Sequence, residues 1–533
     1  MGQSQGRTTT ATASQTNPLP PASESSSTPD ARRGPERRKV LIIGAGSSGL
    51  VAIQEALAAG LEPVCFELRS GVGGAWRYDP DPGPCEWRFG DDGAAEPFTP
   101  GERDDRGKPT PTSMYASLRT NVPTPLMRFQ EQAHPGSVNL FCTHNEVRQY
   151  LEDFAEPFLP YIRFDTRVVS VRHTLDTDPK DKSLNSVREE APNRRWTASY
   201  RSTLDDDAPL DEQQFDAVFV ASGHYYRPHV PATVGLKTFT GELLHSRWYR
   251  DAKRFEDKTV LVVGNWASGY DITRELAASV HARRQAGHPA EALPRVYQSA
   301  RSPSILGTWE PPNAPEYAQE VQTFPAIQRV VGGTVEFVDG RTVSDVDAII
   351  FATGFYFSYP FLSPASSPFS THPVTYSSPK SPSAAPDHAP QPSAKGLRVH
   401  NLDDRMLFYL PDPTLAFLGV PFLIIPFPFA QIQARLAARH FASSPRLPAP
   451  LTFRSNPSTA GPAGEEDGAP ETRHSLMVAY PKDFDLHDRM LQEAGDLHED
   501  GSARDKQAWR LTSAVNRDLR VGTKDLRRAV LGY

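Results

Sequence analysis

Two glycine strings carry the most readable chemistry in the chain. Gly44-Ala45-Gly46-Ser47-Ser48-Gly49 has the spacing of a loop that wraps a pyrophosphate. The first glycine permits a tight turn, the second lets backbone approach phosphate oxygens, and the third lets helix and strand touch. A helix opening on such a loop offers free N–H groups and the positive end of its dipole to the anion. Glu67 follows 23 residues after Gly44, where a carboxylate accepts hydrogen bonds from ribose hydroxyls. Gly264-Asn265-Trp266-Ala267-Ser268-Gly269 repeats the pattern with Trp266 at the middle glycine position. Two readings stay open for it: a second dinucleotide loop, or a Rossmann-like turn that has lost its nucleotide. Arg301, 37 residues after Gly264, is placed to pair a 2′-phosphate and so to select NADPH over NADH. Its alternative is a solvated surface arginine.

Three other strings extend this chemistry. Gly73-Gly74-Ala75-Trp76 is a tight turn ending in an aromatic ring. Directly after a dinucleotide unit, it reads as a loop and ring lying along the rest of a flavin dinucleotide. Phe215–Gly223 and Asp347–Gly354 each run from an acid through a buried strand to a small-small-Gly turn. They read as the places where the chain leaves and re-enters a flavin domain.

The elements that must position these loops are legible around them. KVLIIG (39–44) is a short apolar run suited to a buried parallel strand. Leu50, Ile53 and Leu57 mark one helix face, and Gly60 is placed at that helix's C-terminus. EPVCFE (62–67) is the next strand. The same order returns with KTVLVVG (258–264), a helix face of Ile272, Leu276 and Val280, and RVYQSAR (295–301). Two such openings predict two nucleotide-binding domains. Residues 173–213, with RWTASY (195–200) inside, predict an elaborated hairpin. The polar, proline-rich stretches 1–38 and 363–396 predict disorder, as does most of 454–474. Trp509, Leu511, Val515 and Leu519 predict a C-terminal helix packed on the body.

A chain of 533 residues is long enough for two or three domains. Its net charge of −7, without a polybasic block, gives no support to nucleic acid as a partner. Three cysteines, none in a Cys-x-x-Cys pair, argue against a disulfide framework, a dithiol enzyme and a cysteine zinc site. No metal is expected, and a reducing, cytoplasmic compartment is. The longest apolar run, 415–430, is too short and too rich in proline for a transmembrane segment and predicts a kinked core segment. Peripheral association with a membrane and homo-oligomer formation are left open.

Phe239-Thr240-Gly241-Glu242-Leu243-Leu244-His245-Ser246-Arg247-Trp248-Tyr249 reads F-x-G-x-x-x-H-x-x-x-Y. It resembles the identifying motif of the flavin-containing monooxygenases. Met114–Pro123 is similar to that family's asparagine loop, and the glycine strings and Phe351–Phe355 stand in family order. The resemblance covers about 39–363 and resumes over 397–450. It implies an α/β fold of two Rossmann-like dinucleotide-binding domains, an FAD domain with an inserted NADPH domain. The expected organisation is a tail at 1–38, FAD segments at 39–225 and 335–453, an NADPH domain at 226–334 and an extension at 454–533.

The resemblance further implies FAD- and NADPH-dependent monooxygenation of a small-molecule substrate by dioxygen. Hydride from NADPH reduces the flavin, a C4a-hydroperoxide forms, and a soft sulfur or nitrogen takes its distal oxygen. Asn121 is the implied catalytic residue. Cofactor-binding positions are Gly44 through Gly49, Glu67, Gly74, Ala75, Trp76, Thr120 and Asn121, then Gly264, Ala267, Ser268, Gly269 and Arg301. His245 reads as a polar linker residue. Related Baeyer–Villiger enzymes carry a tryptophan, followed by Pro or Asp, where this chain has Tyr249 and Arg250, which favours heteroatom oxidation. A ketone-oxidising enzyme and a non-catalytic flavoprotein without NADPH are the alternatives.

Overall fold

The computed structural model describes residues 37–90, 93–100, 110–174, 195–205, 207–310, 314–377, 391–456, 476–498, 500, 502–504 and 509–532. The tail 1–36 and the stretch 457–475 therefore lie outside the described residues. Arg38, assigned to the tail, is held: its guanidinium donates to the Phe441 carbonyl (2.5 Å) and to Ser443 Oγ (3.1 Å).

Among the described residues, two five-stranded parallel sheets organise the fold. In the first, Leu415–Phe417, Ala217–Val220, Lys39–Ile43, Glu62–Phe66 and Ile162–Arg163 lie side by side in that order. The period of two in a strand sends Val40 and Ile42 to one core and Leu41 and Ile43 to another, so the sheet is covered on both faces. The helix Ser47–Ala58 follows the first strand, and Gly60, at φ +81°, turns the chain back for the second. Its partner is the helix Pro426–Phe441, joined to it by Arg435 Nε on Glu55 (2.9 Å).

The second sheet runs Glu242–His245, Ala348–Phe351, Val260–Val263, Val296–Ser299, Val321–Phe324, again parallel. Here too alternate residues part, with Val260, Val262 and Ile350 in one core and Leu261, Ile349 and Phe351 in the other. The helix Ala267–Gln285 buries Ile272, Leu276 and Val280. An antiparallel sheet of Thr166–His173, Trp196–Ser202 and Asp211–Phe215 accounts for the hairpin reading.

Several expectations need correction. Ala348–Phe351 belongs to the second sheet, not to a returning FAD segment, because it pairs with Val260–Val263 on one side and Glu242–His245 on the other. The return to the first sheet comes only at Leu415–Phe417. The insertion 363–396 is ordered at both ends: Phe369 and Val374 are buried, and Lys395–Gly396 pairs with Phe355–Ser358. Of it, 378–390 lie outside the described residues. The run 415–430 is a strand, a loop and a helix start; Pro426 sits at the first helical position, where no N–H is needed. In the C-terminal helix Ala514–Leu531, Leu519 packs inward while Val515 is exposed, and Arg520 and Arg527 make the inner contacts.

Candidate cofactor and active site

The two phosphate loops are built alike. Gly44 has φ +99°, and a Cβ there would meet the Ala221 carbonyl at 2.9 Å. A Cβ on Gly49 would sit 1.8 Å from the Gly44 carbonyl. Both glycines are therefore demanded by the fold itself. Gly46 is not: its φ is −76°, and a Cβ would meet Gly74 Cα at an ordinary 3.5 Å. A position without a side chain here is what the close approach of a pyrophosphate requires. No side chain caps the helix Ser47–Ala58, so its first N–H groups are left without a side-chain acceptor.

The second loop repeats these demands. Gly264 has φ +106° and would clash with the Ala352 carbonyl at 2.5 Å, and Gly269 with the Gly264 carbonyl at 2.2 Å. Trp266 takes φ −78°, ψ −171°, the backbone that Gly46 takes at −76°, −171°. The tryptophan thus costs the loop nothing in backbone conformation. Its ring is exposed and meets Phe422 edge-on at 6.4 Å. Ala267 and Ser268 open the uncapped helix behind it. Arg301 is exposed two residues beyond the strand Val296–Ser299, and the Asn265 amide donates to the neighbouring Ser302 carbonyl.

Glu67 and the turn Gly73–Trp76 meet the first loop. Gly73 N donates to the Ala45 carbonyl (3.1 Å), and the short turn Gly74–Trp76 lies against Gly46. Ala75 is exposed, and Trp76 packs edge-on against Phe427 at 6.4 Å. Glu67 is buried. Its carboxylate accepts from Ala45 N (2.6 Å) and Arg69 N (2.9 Å), which straps the loop to the second strand. Burial raises its pKa, and those two N–H groups oppose the rise. Thr120 is buried with its N–H on the Cys142 carbonyl (2.9 Å), while Asn121 is exposed beside it.

The buried side-chain polar atoms that lack a hydrogen-bond partner among the described residues include Thr120 Oγ1, Ser222 Oγ and Gln433 Nε2. Ser222 lies against Gly44, and Gln433 Oε1 accepts from Gly419 N (3.0 Å), itself against Ser48. Buried polar groups ordinarily find partners. These three, with the bare backbone at Gly46, fit a large polar ligand such as FAD. Sequence reasoning missed Gln433, since a glutamine inside a helix belongs to no motif.

The linker string is a structural joint. His245 is fully buried, with Nε2 3.0 Å from the Gly354 carbonyl and Nδ1 3.2 Å from Arg247 N. Trp248 Nε1 donates to Thr99 Oγ1 (3.2 Å), and Tyr249 donates to Glu275 Oε2 (2.7 Å). Arg250 donates to the carbonyls of Asp79, Thr112, Arg247 and Tyr249. Glu275 lies on the helix of the second phosphate loop, and burial pushes its carboxyl up to about 7.

The chain is similar to known proteins in sequence and in fold. The family described as Flavin-binding monooxygenase-like matches residues 37–86 and 101–286. Flavin-containing monooxygenase FMO GS-OX-like 2 of Arabidopsis thaliana is 28% identical over 453 residues, 83% of this chain and 81% of that protein. Dimethylaniline monooxygenase [N-oxide-forming] 2 of Rattus norvegicus is 28% identical over 473 residues, covering 78% and 75%. Among solved structures, S-allyl-L-cysteine S-oxygenase from Allium sativum shares the fold at a TM-score of 0.64 and 23% identity, over 93% of this chain and 94% of that one.

Proposed function

We propose, because this chain belongs to the flavin-containing monooxygenase family and is a flavin-dependent monooxygenase with FAD and NADPH as cofactors, that it transfers one oxygen atom of dioxygen to a nucleophilic sulfur or nitrogen of a small molecule. The observation that carries the reading is the shared backbone of the two phosphate loops, each with an uncapped helix behind it. When bound, FAD activates dioxygen and NADPH supplies the two electrons. The loop Gly44–Gly49 would hold the FAD pyrophosphate, with Glu67 behind it, and Gly264–Gly269 with Arg301 would hold NADPH. Asn121 would donate and accept hydrogen bonds where flavin and nicotinamide ribose meet. Thr120, Ser222 and Gln433 would satisfy their buried atoms on the flavin.

Heteroatom oxidation is supported by two observations. A relative is named for N-oxide formation. A substrate that is itself the nucleophile needs no protein base, and His245 and Glu275 are both committed to buried partners. Cys65, Cys85 and Cys142 are free thiols, which supports a reducing compartment, and we place the protein in the cytoplasm. Among the described residues no helix is long and apolar enough to cross a membrane.

The test is product analysis by mass spectrometry after supplying the purified protein with NADPH and, separately, thioethers, amines and ketones. Sulfoxide or N-oxide is expected. Ester or lactone as the main product would replace the reading with ketone oxidation, and no substrate-dependent NADPH consumption would leave a non-catalytic flavoprotein.

A further inference from the structure

The loop that carries Thr120 and Asn121 is tied to the helix of the other phosphate loop. Tyr115 donates to Asp271 Oδ2 at 2.5 Å, and Ser117 donates to Glu275 Oε1. Asp271 and Glu275 stand four residues apart on Ala267–Gln285, so both project from one face of that helix. Two more segments close on the same pair. Tyr249 of the linker donates to Glu275, and Arg527 of the C-terminal helix reaches Asp271 Oδ1 at 3.4 Å. Arg274 approaches both carboxylates, at 3.8 and 3.6 Å. Asp271 and Tyr115 are nearly inaccessible.

We propose that Asp271 and Glu275 are positioning residues that hold the Asn121 loop in register with the second phosphate loop. The inference rests on the cofactor assignment above and deepens it. Asn121 is attached to the first domain through Thr120 and Cys142, whereas a nucleotide on Gly264–Gly269 is attached to the second. Something must fix one against the other for the amide to meet a nicotinamide ribose. The two carboxylates do so from successive turns of the helix Ala267–Gln285, which begins directly after Trp266. Tyr115 and Ser117 present hydroxyl donors, so the loop is hydrogen-bonded to the helix at two points. Arg527 extends the junction to the C-terminal helix, which also holds Leu423 through Arg520 at 2.9 Å, next to the Trp266–Phe422 contact.

The experiment uses the full-length protein. Amide hydrogen exchange of peptides covering 114–122 is compared between parent, Glu275→Ala and Glu275→Gln. Loss of the Ser117 contact predicts exchange roughly fivefold faster in 114–122 for Glu275→Ala. Peptides covering 44–49 and the FAD content should stay at parental values. Glu275→Gln retains a carbonyl acceptor and should restore much of the protection. In turnover, Glu275→Ala should release more hydrogen peroxide per NADPH consumed while KM for NADPH changes less than threefold, a split that simple unfolding would not produce. If Glu275→Ala is too unstable, Ser117→Ala with Tyr115→Phe removes the loop's side of both contacts and must speed exchange in 114–122 alone. Unchanged exchange in 114–122, or equal acceleration throughout 267–285 and 44–49, overturns the proposal. The exchange readout needs no turnover, so failure of the monooxygenase reading would appear separately, as a parent protein that consumes no NADPH.

Discussion

His245 Nε2 donates its hydrogen to the Gly354 carbonyl across 3.0 Å and joins the linker strand to the turn after Ala348–Phe351. The tautomer follows from the other nitrogen: Nδ1 accepts from Arg247 N, so the proton is on Nε2. Burial pushes the imidazole down to about 3, and the ring is neutral in working conditions.

That neutrality has a pH signature. A depressed histidine pKa adds stability that is present above the unfolded value near 6.5 and is lost as pH falls toward 3. His245→Asn, which keeps a side-chain amide for one of the two partners, should lower the melting temperature at pH 7.5. Its stability should then fall less steeply than the parent's between pH 6.5 and 4. Differential scanning calorimetry over that range checks it. The pH profile of substrate oxygenation between 6.5 and 8 should keep its shape, since the ring moves no proton.

The middle positions of the phosphate loops separate cofactor binding from folding. Gly46→Trp should leave the circular dichroism spectrum intact, because Trp266 shows that this backbone accepts an indole. FAD content should fall at least about tenfold, as the ring occupies the pyrophosphate's approach. Gly49→Ala, by contrast, places a methyl 1.8 Å from the Gly44 carbonyl and should give misfolded protein. Trp266→Gly should keep NADPH turnover; its loss in a folded protein would make the indole itself a binding element.

Arg301→Ala should weaken NADPH binding by about ten- to a hundredfold, the usual worth of a charge-assisted hydrogen bond of 1.5–3 kcal/mol. Weak NADH use should be unaltered. Since Arg301 is exposed, the melting temperature should not move. Equal losses for the two nucleotides in steady-state assays would reduce Arg301 to a structural residue.

Glu275 predicts an opposite pH trend to His245. Its carboxyl is raised to about 7 by burial, offset in part by Tyr249 and Arg274 and reinforced by Asp271 and Asp251. The folded state therefore keeps a proton that the unfolded chain loses above about 4.5, and this contribution is lost as pH rises through 7. Glu275→Gln should be more stable than the parent at pH 8, by roughly 1–3 kcal/mol, with the advantage shrinking toward pH 5. Thermal melts at the two pH values decide it; a constant difference would place the titration elsewhere.

Much of this was legible because it is local. Gly44, Gly49, Gly264 and Gly269 are demanded by contacts within a few residues or with the neighbouring strand, and such sterics leave a fixed spacing in sequence. The alternation of Val40, Leu41, Ile42 and Ile43 announces a strand covered on both faces. Gly60 ends its helix where the sequence places it. Position after the glycine loops brought Trp76 and Arg301 into view, and family resemblance brought Asn121.

Tertiary structure decided the rest. Ala348–Phe351 and Leu415–Phe417 are equally apolar, and only their hydrogen-bonded neighbours assign one to each sheet. Phe369 and Val374 are buried although they sit in a serine- and proline-rich stretch, because a few apolar side chains suffice once a core lies beside them. Gln433, 0% exposed and with its Nε2 short of a partner, meets the first loop through Gly419 only because two helices distant in sequence pack together. Tyr115 meets Asp271 across 156 positions. The types of these residues are ordinary. Contact between them depends on how two sheets and their helices close, and no spacing along the chain records that closure.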